Sequence, residues 1–164
     1  MNASSIYDVT PCHAGGMEIG HAPGRGARPQ LKRKRSLYIL CIDDDEQILE
    51  FMTQCLTRFE HRVRVASGGK HGLELFRTAT LENQPYEVVI TDFGMPDIDG
   101  QYVARTIKAE SPKTPVIMMT GWDTFMEDDG ETALSVDAVV DKPPCMQELN
   151  DLVLRIATPA TSCL

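Results

Sequence analysis

Asp43, Asp44 and Asp45 are three consecutive acids that follow an apolar run, Leu37-Tyr38-Ile39-Leu40-Cys41-Ile42. Asp92 closes a second such run, Thr120 a third, and Lys142 lies just past a fourth. Carboxylates gathered in one place repel one another and need a cation. Hard oxygen ligands with few fixed protein contacts suit Mg²⁺, which keeps several waters and prefers near-octahedral geometry. A hydroxyl and an ammonium beside such a cluster make sense when an anion visits. A phosphoryl group fits, because an ammonium and a divalent ion together neutralise its oxygens. One carboxylate could then act as nucleophile and form an aspartyl phosphate. Taken singly, an acid at a strand end is usually solvated and a lysine usually lies on the surface. Complementary groups at four strand ends shift the reading to a site.

That chemistry needs elements that bring residues 43, 92, 120 and 142 together. Strand and helix patterns alternate five times from Ser36 onward. The run ending at Ile42 suits a strand buried on both faces, as in a parallel sheet. Ile48, Leu49, Phe51, Met52, Cys55, Leu56 and Phe59 recur every three or four residues and predict an apolar helix face. Val63 and Val65 alternate with Arg62 and Arg64, as expected for a strand near an edge. Ser67-Gly68-Gly69 reads as a turn, and Leu73, Leu75 and Phe76 mark a second helix. Val88-Val89-Ile90 is a third strand; Tyr102, Val103 and Ile107 give a third helix that stops before Pro112. Residues 115–119 form a fourth strand, about 124–134 a short helix, and Ala138-Val139-Val140 a fifth strand. Met146, Leu149, Leu152, Val153 and Ile156 make the last helix face. Five βα units imply an α/β fold, a parallel sheet covered on both sides with right-handed crossovers. Ligand chemistry in such sheets sits beyond the carboxyl ends of the strands, where the strand order reverses.

Composition excludes several classes. The 164 residues are 42% hydrophobic and 24% charged, ordinary for a globular protein. No apolar run approaches the length of a membrane helix, and the N-terminus lacks the layout of a secretory signal, so the cytoplasm is expected. The net charge is −8. Residues 1–35 hold six Lys/Arg against two Asp/Glu, and the rest hold ten against twenty-two. An acidic body argues against direct DNA binding, which needs clustered cations. The basic run Lys32-Arg33-Lys34-Arg35 reads as a solvated linker edge. The cysteines Cys12, Cys41, Cys55, Cys145 and Cys163 show no paired spacing and are expected as reduced thiols. His13, His21, His61 and His71 show no ligand spacing and are expected on the surface or in loops.

The residues Ile42-Asp43-Asp44, Asp92-Phe93-Gly94-Met95-Pro96-Asp97-Ile98-Asp99-Gly100, Thr120-Gly121 and Lys142-Pro143 together resemble the motif set of the response-regulator receiver domains of two-component signalling. The resemblance covers residues 36–157, between an N-terminal segment 1–35 expected to be flexible and a tail 158–164. It implies a flavodoxin-like (βα)5 doubly wound parallel sheet with strand order 2-1-3-4-5. It implies that Asp92 is the phosphoacceptor and that Asp43, Asp44, Asp92 and the backbone carbonyl of Gly94 hold Mg²⁺. Thr120 would then hydrogen-bond the phosphoryl group, and Lys142 would pair with it. Pro143 would follow Lys142 through a peptide bond often cis in this family, aiming the lysine into the site. Asp45 is expected to have no ligand role and to be solvated or to cap the first helix.

Some positions depart from the family pattern. Val139 stands where receivers commonly carry an aromatic ring that swings inward on activation, so a weaker or rerouted output is expected there. Gly94 offers no side chain to hold an attacking water, and Trp122 could shield the site; both favour slow self-hydrolysis. Pro144 replaces an aromatic that often follows Lys-Pro. His13-Ala14-Gly15-Gly16 followed by Pro23-Gly24-Arg25-Gly26 looks like the last β-hairpin of a histidine-kinase ATPase domain. That likeness implies a receiver from the C-terminal end of a hybrid histidine kinase, with no kinase domain of its own.

The resulting expectation is a phosphorelay receiver, monomeric or weakly dimeric. It would take a phosphoryl group from a histidine kinase or a histidine phosphotransfer protein and switch protein contacts. It would have self-phosphorylation and self-dephosphorylation chemistry but no separate enzymatic activity. A receiver-like binding module that is never phosphorylated is the alternative. A haloacid-dehalogenase-like phosphatase would need Thr at Gln47, and a dinucleotide site would need a glycine-rich turn where Ile42-Asp43-Asp44 stands.

Overall fold

The computed structural model describes residues 35–121 and 135–157. Five strands run in parallel in the order β2-β1-β3-β4-β5. They are β1 (Tyr38–Ile42), β2 (Arg62–Ala66), β3 (Val88–Asp92), β4 (Val116–Thr120) and β5 (Ala138–Asp141). Four helices accompany them among the described residues: α1 (Glu46–Arg58), α2 (Gly69–Leu81), α3 (Gly100–Glu110) and α4 (Met146–Ile156). The strand order is the one expected. The short helix predicted at about 124–134, Trp122, the hairpin-like residues 13–27 and the tail lie outside the described residues.

Burial explains the sheet. β3 and β4 are buried along their whole length and occupy inner positions with β1. β2 and β5 alternate in exposure and form the two edges, as the Arg-Val-Arg-Val pattern predicts. One face of the sheet packs Leu40, Ile42, Val89, Val116 and Met118 against Leu73, Phe76, Val103 and Ile107. The opposite face packs Ile39, Cys41, Val88, Ile90, Ile117 and Met119 against Leu49, Met52, Leu56, Leu149 and Val153. Tyr102, expected on the apolar face of its helix, is half exposed; Val103, Ala104 and Ile107 carry that face.

Helix ends follow local chemistry. The Asp45 carboxylate accepts from Gln47 N–H at 2.8 Å and caps α1, with Glu46 in the first turn and Arg58 in the last to match the helix dipole. Asp99 caps α3 through the Tyr102 N–H at 2.6 Å.

Two expectations about side chains are refined. His61 lies in the loop between α1 and β2, as one of the expected placements has it, but it is buried there. Glu60 takes a positive φ after α1, and His61 N–H returns to the Leu56 carbonyl, a helix C-terminal arrangement that tucks the ring inward. Leu37 N–H donates to Nδ1 at 3.2 Å, so Nε2 carries the proton and donates to Asn150 Oδ1 at 3.0 Å. One ring thereby ties the entry to β1 to helix α4. Cys145 is disulfide-bonded rather than a free thiol; Cys41 and Cys55 are free. Such a bridge depends on proximity in space, which scattered spacing does not report.

Replacing His61 with alanine removes the partner of the buried Leu37 N–H and of Asn150 Oδ1. We expect His61→Ala to lose about 1–3 kcal/mol in urea unfolding. Ring-nitrogen NMR should show the proton on Nε2; a proton on Nδ1 would contradict the hydrogen-bond assignment.

Candidate functional site

β1 and β3 are adjacent and parallel, so their carboxyl ends open at the same edge of the sheet. Asp43 follows β1 directly and is almost fully buried. Its N–H continues the ladder to the Ala66 carbonyl of β2. Asp92 is the last residue of β3, registered against Met119 of β4. Thr120, buried, ends β4 opposite Asp141. Lys142 comes next, and its N–H donates to the Thr120 carbonyl at 2.7 Å. The Lys142-Pro143 peptide bond is cis.

These ends bring distant residues into contact. Lys142 Nζ lies 2.6 Å from Asp43 Oδ2 and 2.7 Å from Asp92 Oδ1. Carboxylate oxygens of Asp43, Asp44 and Asp92 all lie within 4.8 Å of one another. Asp44 is exposed, so the cluster is open to solvent on that side. The other oxygens of the two buried acids are held by the backbone: Asp43 Oδ1 accepts from Asp45 N–H at 2.9 Å, and Asp92 Oδ2 from Gly94 N–H at 3.0 Å.

Burial pushes the Asp43 carboxyl above its ordinary range; Lys142 and the Asp45 N–H work against that rise, and the neighbouring Asp92 charge adds to it. Desolvation by itself would lower the Lys142 ammonium, but its hydrogen bonds and charge attraction to Asp43 and Asp92 raise it. The site is therefore a carboxylate cluster only partly balanced by one ammonium. Three converging hard oxygen donors fit a divalent cation such as Mg²⁺.

The loop after Asp92 is fastened at several points. Met95 is buried in the core, and the Gly100 N–H donates to the Phe93 carbonyl at 2.9 Å. A Cβ at Gly100 would stand 2.0 Å from the Asp92 carbonyl oxygen, so only glycine allows α3 to start this close to β3. Gly94 is exposed, and a Cβ there would meet nothing within 4 Å. Every residue predicted for the site thus lies at the carboxyl edge of the sheet, and Asp43, Asp44, Asp92 and Lys142 come into direct proximity.

Sequence reading missed one role. The Asp97 carboxylate accepts from the N–H groups of Gly69 and Lys70 at the start of α2. Slight desolvation pushes its pKa up, but the backbone donors of Ile98, Lys70 and Gly69 outweigh it and hold the carboxyl below the usual range. The available signal was that Gly68 precedes α2 with no capping side chain.

Comparisons with known proteins agree with this edge. Residues 39–154 match the response regulator receiver domain family, and the chain belongs to that family. It is 33% identical over 141 residues to the sensor histidine kinase AtsR of Burkholderia thailandensis, covering 82% of this chain and 22% of that protein. It is 30% identical over 125 residues to the probable transcriptional regulator ycf27 of Cyanidium caldarium, covering 76% and 48%. The chain spans less than half the length of either relative. A response regulator receiver domain protein from Clostridium thermocellum superposes with a TM-score of 0.65 at 29% identity, covering 74% of this chain and 94% of that one. The response regulator TrrA of Thermotoga maritima, solved in complex with Mg(2+)-BeF, superposes with a TM-score of 0.62 at 25% identity, covering 73% and 98%. The chain carries a receiver domain of two-component signalling with its acidic pocket present. No described helix is long and apolar enough to cross a membrane.

The raised Asp43 carboxyl has a pH consequence. With its carboxyl raised by burial, Asp43 in the folded metal-free protein gives up its proton at higher pH than in the unfolded chain. This group's contribution to stability is therefore full below the ordinary carboxylate pKa and is lost as pH rises through the raised folded value. We expect the stability of Asp43→Asn relative to the unaltered chain to grow as pH rises above the ordinary carboxylate value of about 4. Added Mg²⁺ should shrink that gain. Melting temperatures from about pH 3 to 7 check it, and a difference that does not grow with pH would contradict it.

Proposed function

We propose that this receiver domain, residues 36–157, accepts a phosphoryl group on Asp92 from a phosphohistidine. The donor would be a histidine kinase or a histidine phosphotransfer protein. The observation that carries this reading is the Asp43/Asp44/Asp92 cluster with the Lys142 ammonium bridging two of its members. Asp43, Asp44, Asp92 and the Gly94 carbonyl would hold Mg²⁺. When bound, the ion supplies positive charge against the carboxylates and the phosphoryl oxygens.

The Asp92 carboxylate attacks phosphorus in line with the donor nitrogen. A P–O bond forms as the P–N bond breaks, and the bonding pair leaves with the imidazole. Lys142 neutralises charge on the transferred group, and the Thr120 hydroxyl turns to donate to one of its oxygens. That added charge shifts a pre-existing equilibrium of the domain and so changes which proteins bind. The acidic body favours protein partners over DNA.

Labelling by acetyl phosphate tests the central step. We expect Mg²⁺-dependent incorporation that Asp92→Asn abolishes. Equal labelling of Asp92→Asn would place the phosphoryl group on another residue and overturn the assignment of Asp92; no labelling of the unaltered chain at any Mg²⁺ concentration would leave a binding module that is not phosphorylated.

Val139 is partly exposed on edge strand β5, and a valine is too short to swing inward as an aromatic ring would. We expect beryllofluoride to move the amide signals of Asp92 and Thr120 strongly and those of residues 138–141 weakly. A large rearrangement of residues 138–141 in the unaltered chain would refute this.

A further inference from the structure

Helix α2 begins without a cap of its own. Gly68, at its N-cap position, has φ 125° and no side chain to accept from the first N–H groups. Those groups would otherwise have to be met by water. Instead, Asp97 reaches across from 28 residues away, accepting from Gly69 N–H at 3.2 Å and through its other oxygen from Lys70 N–H at 3.1 Å. The backbones are also in close contact. A Cβ at Gly69 would lie 2.5 Å from the Ile98 carbonyl oxygen, and one at Gly68 would lie 3.2 Å from the Asp97 carboxylate. Two glycines therefore let α2 start against the loop that follows Asp92, and one carboxylate joins them.

The same loop carries Gly94, three residues before Asp97. Gly94 has no side chain to anchor it, and its surroundings leave room for it to shift. Its position rests on the N–H bond to Asp92 Oδ2 on one side and on the buried Met95 on the other. Beyond Met95 the next tether is Asp97. We propose that Asp97 is a positioning residue for the acidic pocket: by pinning the loop to the start of α2, it fixes the Gly94 backbone and so sets the pocket's affinity for a divalent ion. This rests on the reading above that Gly94 contributes a ligand. It also makes α2 a mechanical neighbour of the site, so that a change in the loop is felt at Gly69 and Lys70.

Mg²⁺ binding measured by calorimetry on the full chain tests it, using Asp97→Ala and Asp97→Asn. Loss of an outer partner of a metal ligand typically weakens binding, and we expect roughly tenfold weaker Mg²⁺ affinity in Asp97→Ala. Asp97→Asn keeps one oxygen acceptor and should fall between Asp97→Ala and the unaltered chain; it carries the test if the alanine variant does not fold. Amide exchange in the metal-free protein should quicken at Gly69, Lys70, residues 93–95 and residues 97–98. A residue that merely supports the fold would lower the melting temperature while leaving the affinity of the folded protein unchanged. Unchanged affinity in the variants beside normal binding by the unaltered chain would overturn this proposal alone. No Mg²⁺ binding by the unaltered chain would overturn the metal-site reading and this proposal with it.

Discussion

Asp43 and Asp92 are two largely buried carboxylates in one pocket, and the Lys142 ammonium stands between them. Most of what is distinctive in this domain follows from that arrangement. Two acids out of water repel each other, and burial alone penalises their charge. A single ammonium relieves both at once but leaves the cluster short of positive charge, the more so with Asp44 at its mouth. That imbalance suits one further cation. A fully balanced pocket would have no reason to bind one.

Holding those charges in place is the work of the sheet. Parallel strands put all their carboxyl ends at one edge, and inner strands β1, β3 and β4 offer no freedom to slip because both of their faces are buried. β5 is an edge strand, but its position is also held at its end, where Lys142 N–H bonds the Thr120 carbonyl. The lysine therefore enters the pocket from a backbone tied to the neighbouring strand. The loop after Asp92 is fixed by different means: a buried methionine, the close approach at Gly100, and carboxylate caps on two helices.

The family relation and the geometry speak to different questions. Membership of the receiver family accounts for the fold, the strand order and the acidic pocket. The particulars of this chain, such as a valine on β5 and a long-range cap on α2, are seen only in its own residues. They bear on how strongly a change at the pocket is transmitted.

The sequence by itself determined that alternating strands and helices build a parallel sheet and which faces look into the core; the strand order was implied by the likeness of its motifs to the receiver family. Elements and faces are written in local periods of hydrophobicity, and acids placed directly after apolar runs mark the strand ends, but periodicity does not report the order of parallel strands. Tertiary structure decided the rest. His61 carries no local sign of burial, because its partners Leu37 and Asn150 are distant in sequence and the turn at Glu60 aims the ring. The bridge at Cys145 is likewise invisible to spacing. Asp97 reads as one more loop acid until the start of α2 is brought beside it. A hydrogen bond or a disulfide forms between groups that meet in space, whereas periodicity reports only which face of an element looks inward.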